Sequence, residues 1–350
     1  MTNDIYLSEF VPRPKLVVKE TSILTPRFPV IDAHNHLAEP FGGGWDQRPI
    51  SELLDTMDAA HVQAYVDLDG GWGEDILQRH LDNIKAHAPE RFYMFGGVDW
   101  SKWPEHGDHF GEWAAKQFRA QVARGADGLK IWKPFGLSVR DQHDQLVAID
   151  DPRLDALWAA AGELKLPVLI HIADPVAFFD PLDNTNERFE ELNANPDWQF
   201  PSPPFPPFMK LMNDFKALVL RHRDTTFIGA HVGCYAENLG WVAQMLDDCP
   251  NYVVDISARI SELGRQPYTA RRFFTDYAQR ILFGIDAGAE LDAYRRYYRF
   301  LETDDEYFNY GISDIPGQGR WYIYGLHLPD DVLRKVYFDN AKRVLDGPSR

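Results

Sequence analysis

The stretch Phe28-Pro-Val-Ile-Asp-Ala-His-Asn-His-Leu37 decides how the chain is read. A short apolar run, Val30-Ile31, leads to Asp32 and then to two histidines, His34 and His36. Residues two apart in a strand face the same way, so both imidazoles project together. Neutral imidazole is the commonest protein ligand for zinc and similar ions, which makes a paired His-x-His the start of a metal site. Three later strand-like runs also end in ligand-type residues: Val168-Leu-Ile-His171, Phe227-Ile-Gly-Ala-His231 and Ile281-Leu-Phe-Gly-Ile-Asp286.

Outward from that stretch, apolar strand-like runs alternate with segments of helical spacing. The runs are Val30–His34, Val62–Leu68, Phe92–Val98, Gly128–Trp132, Pro167–Ile172, Thr226–Ala230, Tyr252–Ile256 and Arg280–Ile285. Helices are expected at 50–60, 74–88, 113–124, 151–164, 237–246 and 268–279, and in the tail at 291–301 and 330–345. Strand–helix alternation implies parallel strands joined by crossovers. Eight such units in roughly 250 residues match a closed (β/α)8 TIM barrel. An open doubly wound sheet is the runner-up, disfavoured because no Gly-x-Gly-x-x-Gly follows the first strand.

The expected organisation is an N-terminal extended arm over 1–29, carrying Pro12, Pro14, Pro26 and Pro29, followed by the barrel over 30–350. Within the barrel, a long insertion after strand 5 covers 174–208 and ends Phe200-Pro-Ser-Pro-Pro-Phe-Pro-Pro-Phe208. Loops of that length are functional or disordered. Its aromatic content argues against disorder, so a lid or a subunit contact is expected. A helical tail fills 287–350, and its Tyr294, Tyr297, Tyr298 and Phe300 would pack on the domain or on a second subunit.

Composition narrows the classes of function. The net charge of −17 argues against a nucleic-acid partner. No apolar run approaches the ~20 residues of a membrane span. The first residues lack the basic and apolar regions of a signal peptide. Two cysteines, Cys234 and Cys249, exclude a disulfide framework and fit a reducing cytosol. The expectation is a cytoplasmic enzyme, a homodimer, acting on a small molecule.

The chemistry lies in position. His34 and His36 end strand 1, Lys130 lies in strand 4, His171 ends strand 5, His231 ends strand 6 and Asp286 ends strand 8. In a barrel these C-terminal ends converge on one face. Each residue alone has an ordinary explanation as a hydrogen-bonded histidine or a turn-forming aspartate. Six at equivalent places in one fold are hard to produce that way. Three imidazoles and a carboxylate would hold a divalent ion with a position open for water, whose pKa then falls to near ~7. His231 or Asp286 would handle protons. Arg259, after strand 7, would clamp a substrate carboxylate or form a surface ion pair. Trp72, Trp132 and Lys133 would line the pocket.

The order His-x-His, Lys, His, His, Asp along eight βα units resembles the amidohydrolase superfamily. The phrases Val30-Ile-Asp-Ala-His-Asn-His36, Phe227-Ile-Gly-Ala-His-Val-Gly233, Tyr252-Val-Val-Asp-Ile-Ser257 and Ile281-Leu-Phe-Gly-Ile-Asp286 are similar to its amidohydrolase-related branch. That branch holds aminocarboxymuconate semialdehyde decarboxylase, resorcylate-type decarboxylases and lactone or amide hydrolases. Val332-Leu-Arg-Lys-Val-Tyr-Phe-Asp-Asn-Ala-Lys-Arg-Val-Leu345 resembles its last helix. The resemblance covers about residues 28–346. It implies that His34, His36, His171 and Asp286 hold one metal, usually zinc, with manganese or a second ion as variants. His231 would be the acid–base or electrophile beside it. Lys130 matches a position that is carboxylated and bridges two metals in some members; its alternative is an ammonium that binds a substrate carboxylate or pairs with an acid. Ile285 departs from the threonine common before the aspartate.

Two activities follow. The first is a metal-dependent hydrolase of an amide, lactone or other cyclic or ester-like bond. The alternative is a non-oxidative decarboxylase of a small aromatic or unsaturated carboxylate. Both use the same ligands, and hydrolysis is placed first. A barrel used only for binding is the third reading, weakened because the whole ligand set is present.

Overall fold

A computed structural model of the protein describes residues 4–71 and 74–347. Its frame is one sheet of eight parallel strands in sequential order. They are β1 (Val30–Asn35), β2 (Val62–Gly70), β3 (Phe92–Gly96), β4 (Gly128–Ile131), β5 (Val168–Ile170), β6 (Phe227–Gly229), β7 (Tyr252–Asp255) and β8 (Ile281–Leu282). Backbone hydrogen bonds from Ala33 N to the Phe283 carbonyl, 2.9 Å, and from Asp286 N to the His34 carbonyl, 3.0 Å, join the last strand region to the first. The result is a (β/α)8 barrel. Gly284 permits the approach, because a Cβ there would stand 2.8 Å from the Cβ of His34.

The helices between strands are α1 (Ile50–Ala59), α2 (Glu74–Asn83), α3 (Phe110–Arg124), α4 (Asp155–Leu164), α5 (Phe208–Arg221), α6 (Leu239–Asp248) and α7 (Pro267–Asp276), and α8 (Leu291–Glu302) follows β8. Each lays an apolar stripe on the sheet. α3 ends at Gly125, whose φ of 123° few other residues adopt. α5 is a helix beyond those expected from sequence: its buried Phe208, Leu211, Met212, Phe215, Leu218 and Val219 recur at helical spacing directly after a proline-rich run.

Alternation along the strands divides the core in two. Val30, Leu129, Ile131, Val168, Ile170, Phe227 and Val254 face the helices. Ile31, Ala33, Val66, Leu169, Ile228 and Val253 fill the barrel interior, joined there by Ala341, Val344 and Leu345 of the last helical segment. Lys130, between Leu129 and Ile131, therefore belongs to the inward-facing set. The final segment runs through Asp330–Arg334, a π turn at Lys335–Asp339, and Asn340–Asp346.

Tyr294, Tyr297 and Tyr298 of α8 are buried around Phe283, with ring centroids 6.4, 5.7 and 5.9 Å away. The aromatic cluster of the tail is thus accounted for within one chain. Among the described residues, no helix is long and apolar enough to cross a membrane.

Candidate metal centre and active site

The C-terminal ends of the strands gather ligand-type side chains around the Asp286 carboxylate. His36 Nε2 lies 3.0 Å from Asp286 Oδ1, His34 Nε2 lies 3.9 Å from the same oxygen, and His231 Nε2 lies 3.8 Å from Oδ2. One donor atom from each of His34, His231 and Asp286 falls within 4.8 Å of the others. His171 stands beside them, its ring centroid 4.4 Å from that of His231. Its Nε2 is turned to the Ala173 carbonyl at 3.1 Å and lies 3.5 Å from Asp174 Oδ1. If Nε2 carries the proton in that contact, Nδ1 holds the free lone pair.

Each of the three converging imidazoles is held from behind. His34 Nδ1 faces Asp255 Oδ2 at 2.8 Å, and His36 Nδ1 faces Asp69 Oδ1 at 2.7 Å. His231 Nδ1 faces the Ser257 carbonyl at 2.9 Å. A proton on each Nδ1 leaves every Nε2 lone pair aimed at the centre, and the carboxylates behind His34 and His36 make the arrangement typical of metal-ligating histidine. The residues therefore fit a divalent ion by the chemistry of their donors. Asp69 and Asp255 do more than orient rings. Asp69 Oδ2 accepts from Leu37 N and Ala38 N, both at 2.8 Å, and Asp255 Oδ1 accepts from His231 N at 3.0 Å.

The backbone at this rim is strained. His231, Val232, Cys234, Ala258 and Asp286 all have φ between 53° and 62°. Such conformations cost of order 1–3 kcal/mol each and cluster at functional sites. The bond from His231 N to Asp255 is one restraint that holds them.

Electrostatics follow from burial and partners. Burial disfavours a charged His36, but hydrogen bonds to Asp286 and Asp69 outweigh it and raise the ring to about 9. Burial pushes the Asp286 carboxyl up, yet the charge of His34 and the hydrogen bond to His36 hold it well below the usual carboxylate range. Burial lowers His171 to about 4 and drives His231 well below its ordinary value, so both rings are neutral.

Above the centre opens a cavity of about 600 Å³. Trp100, Trp132, Phe178 and Trp198 give it aromatic walls. Trp132 stacks on His36 with centroids 5.1 Å apart. Lys130 is 1% exposed; among the described residues its Nζ has no hydrogen-bond partner, and it lies 4.9 Å from the Trp132 ring centroid. Burial lowers its ammonium to about 8. Lys133 is paired with Asp174 at 2.6 Å. Arg259 also lines the cavity and is buried, not on the surface. Trp72 lies outside the described residues. The segment after β5 contributes Asp174, Phe178, Arg188, Glu191 and Trp198 to the wall.

Sequence reasoning missed Asp69, Asp255 and Ser257. Asp69 and Asp255 lie near the ends of β2 and β7, but one aspartate after an apolar run is indistinguishable from a turn former without its partner.

Comparison with known proteins agrees with this geometry. The Amidohydrolase family model matches residues 31–347. The fold is similar to that of 2,6-dihydroxybenzoate decarboxylase from Rhizobium, at 15% identity and a TM-score of 0.55, covering 91% of this chain and 98% of that one. A dihydroxybenzoic acid decarboxylase from Polaromonas sp. JS666, solved with manganese and the inhibitor 2-nitroresorcinol, gives 14%, 0.56, 91% and 97%. An amidohydrolase from Burkholderia multivorans with bound HEPES gives 15%, 0.53, 92% and 100%. A search of curated proteins finds no match. A family match across nearly the whole barrel, on a rim where three imidazoles face one carboxylate, establishes that the chain belongs to the amidohydrolase family.

Proposed function

We propose that the protein is a metal-dependent, non-oxidative decarboxylase of a small aromatic or unsaturated acid. The observation that carries this reading is Lys130. Among the described residues its ammonium has no hydrogen-bond partner, buried in an aromatic-walled cavity beside the metal donors. Buried charges are normally paired, so a bound carboxylate is the natural counter-charge.

His34, His36, His171 and Asp286 would hold the ion, zinc or manganese by donor type. When bound, a divalent ion supplies a positive charge that orients and polarises an oxygen of the substrate. The chain's own groups do the rest. Lys130 anchors the carboxylate, and Trp132 and its neighbours hold the flat body and exclude water. The bond between the substrate carbon and its carboxylate then breaks, its electron pair stays on carbon, and CO2 leaves. His231 takes up a proton at Nε2 and delivers it to that carbon. Its Nδ1 contact with the Ser257 carbonyl fixes the ring for the transfer. The segment 174–208 acts as a lid over this chamber, supported by the six residues it places in the wall, Pro175 among them.

Sharing a fold with two dihydroxybenzoate-type decarboxylases fits this order of readings. Hydrolysis of a lactone or amide is the second reading, favoured by a donor set equally suited to activating water. Metal-loaded enzyme offered hydroxybenzoates, lactones and amides separates them. CO2 release from an aromatic acid supports decarboxylation; acid release from a lactone or amide, with no CO2 from any carboxylate, overturns it.

A further inference from the structure

We infer that the cavity has a second anion subsite, built by Arg259 and Gln318, so that the substrate carries two acidic groups and not one. The inference deepens the decarboxylase reading by naming the substrate class as a diacid.

Arg259 follows β7, three strands round the ring from the Lys130 strand β4. It is 5% exposed and lines the cavity. A guanidinium carries five N–H donors and no acceptor. Here one bond is seen, from Nη1 to the Ala258 carbonyl at 2.8 Å. Among the described residues, Arg259 forms no ion pair. Glu191, the acid on the same wall, is taken, accepting from Arg188 Nη1 at 2.8 Å. Arg188 also pairs with the buried Glu262.

The second observation is Gln318, which lines the same cavity and turns its Nε2 to the same Ala258 carbonyl at 3.5 Å. An arginine and a side-chain amide thus converge on one point of the wall, with most of their donors uncommitted. Planar guanidinium matches a carboxylate in two parallel hydrogen bonds, which point charges cannot do. Ala258 sets the arginine's place, its φ of 53° turning the chain sharply after β7. Lys130 and Arg259 then supply two separate cations to one flat molecule, one for the reacting carboxylate and one for a second acid.

The test is binding, read by calorimetry on metal-loaded protein with benzoate, isophthalate and terephthalate. Each diacid geometry is compared with the monoacid, and at least one is expected to bind roughly tenfold tighter than benzoate. Arg259→Met should abolish that preference while benzoate affinity stays within about threefold of the parent. Arg259→Lys should restore only part of it, since an ammonium lacks the fork. Equal affinities in the parent protein overturn the subsite, and so does a preference that survives in Arg259→Met. If Arg259→Met does not fold, Gln318→Leu reads the same quantity: a reduced preference supports the subsite and an unchanged one overturns it. None of these readouts involves turnover, so a failed subsite and a failed decarboxylase reading remain distinct results.

Discussion

His36 Nε2 lies 3.0 Å from Asp286 Oδ1, so a ring just past the first strand meets a carboxylate in the loop beyond the eighth. Asp69 grips the same ring from behind at 2.7 Å, and the imidazole is held between two carboxylates. The two carboxylates outweigh burial and raise the ring to about 9.

Metal binding must displace the proton on the His36 ring. Affinity is therefore expected to weaken as pH falls, by about tenfold per unit below 9. Chelator competition at pH 6, 7 and 8 measures it. A flat profile would contradict the assignment of His36 as a ligand, as would undiminished metal content in a His34→Ala, His36→Ala protein.

Asp69→Asn and Asp255→Asn each keep the shape of the side chain but remove the charge behind a ligating ring. Each is expected to lower metal affinity by about 10–100-fold. Retention of full affinity in both would mean the two carboxylates serve only the backbone N–H groups they also bind.

His231→Asn is expected to keep its metal and lose about 10²–10⁴ in turnover. Elemental analysis and a steady-state assay on the same preparation separate the two roles. Loss of the ion together with activity would make His231 a ligand.

Lys130→Met replaces an unpaired buried ammonium with an apolar chain of similar length. Stability should rise, with an unfolding midpoint about 2–4 °C higher, while affinity for aromatic carboxylates collapses. A destabilised variant would show that the ammonium has a structural partner.

How much of this was legible depends on whether a signal is local. The eight strands could be read because each is a compact apolar run, and the ligand-type residues because they sit at the run ends. α5 was lost behind Phe200–Phe208, where five prolines and a serine mask the periodicity that begins at Phe208. Asp69 and Asp255 take their meaning from His36 and His34, which pairing alone reveals. The environment of Arg259 was equally hidden: a lone arginine after a strand carries no mark of being enclosed.

Closure between β1 and β8 has a consequence for biosynthesis. A nascent chain presents the His-x-His pair early, yet lacks the matching carboxylate until residue 286 has emerged and the ring has shut. Premature capture of an ion by the growing polypeptide would therefore be weak, and competent enzyme arises only from molecules whose two ends have found each other.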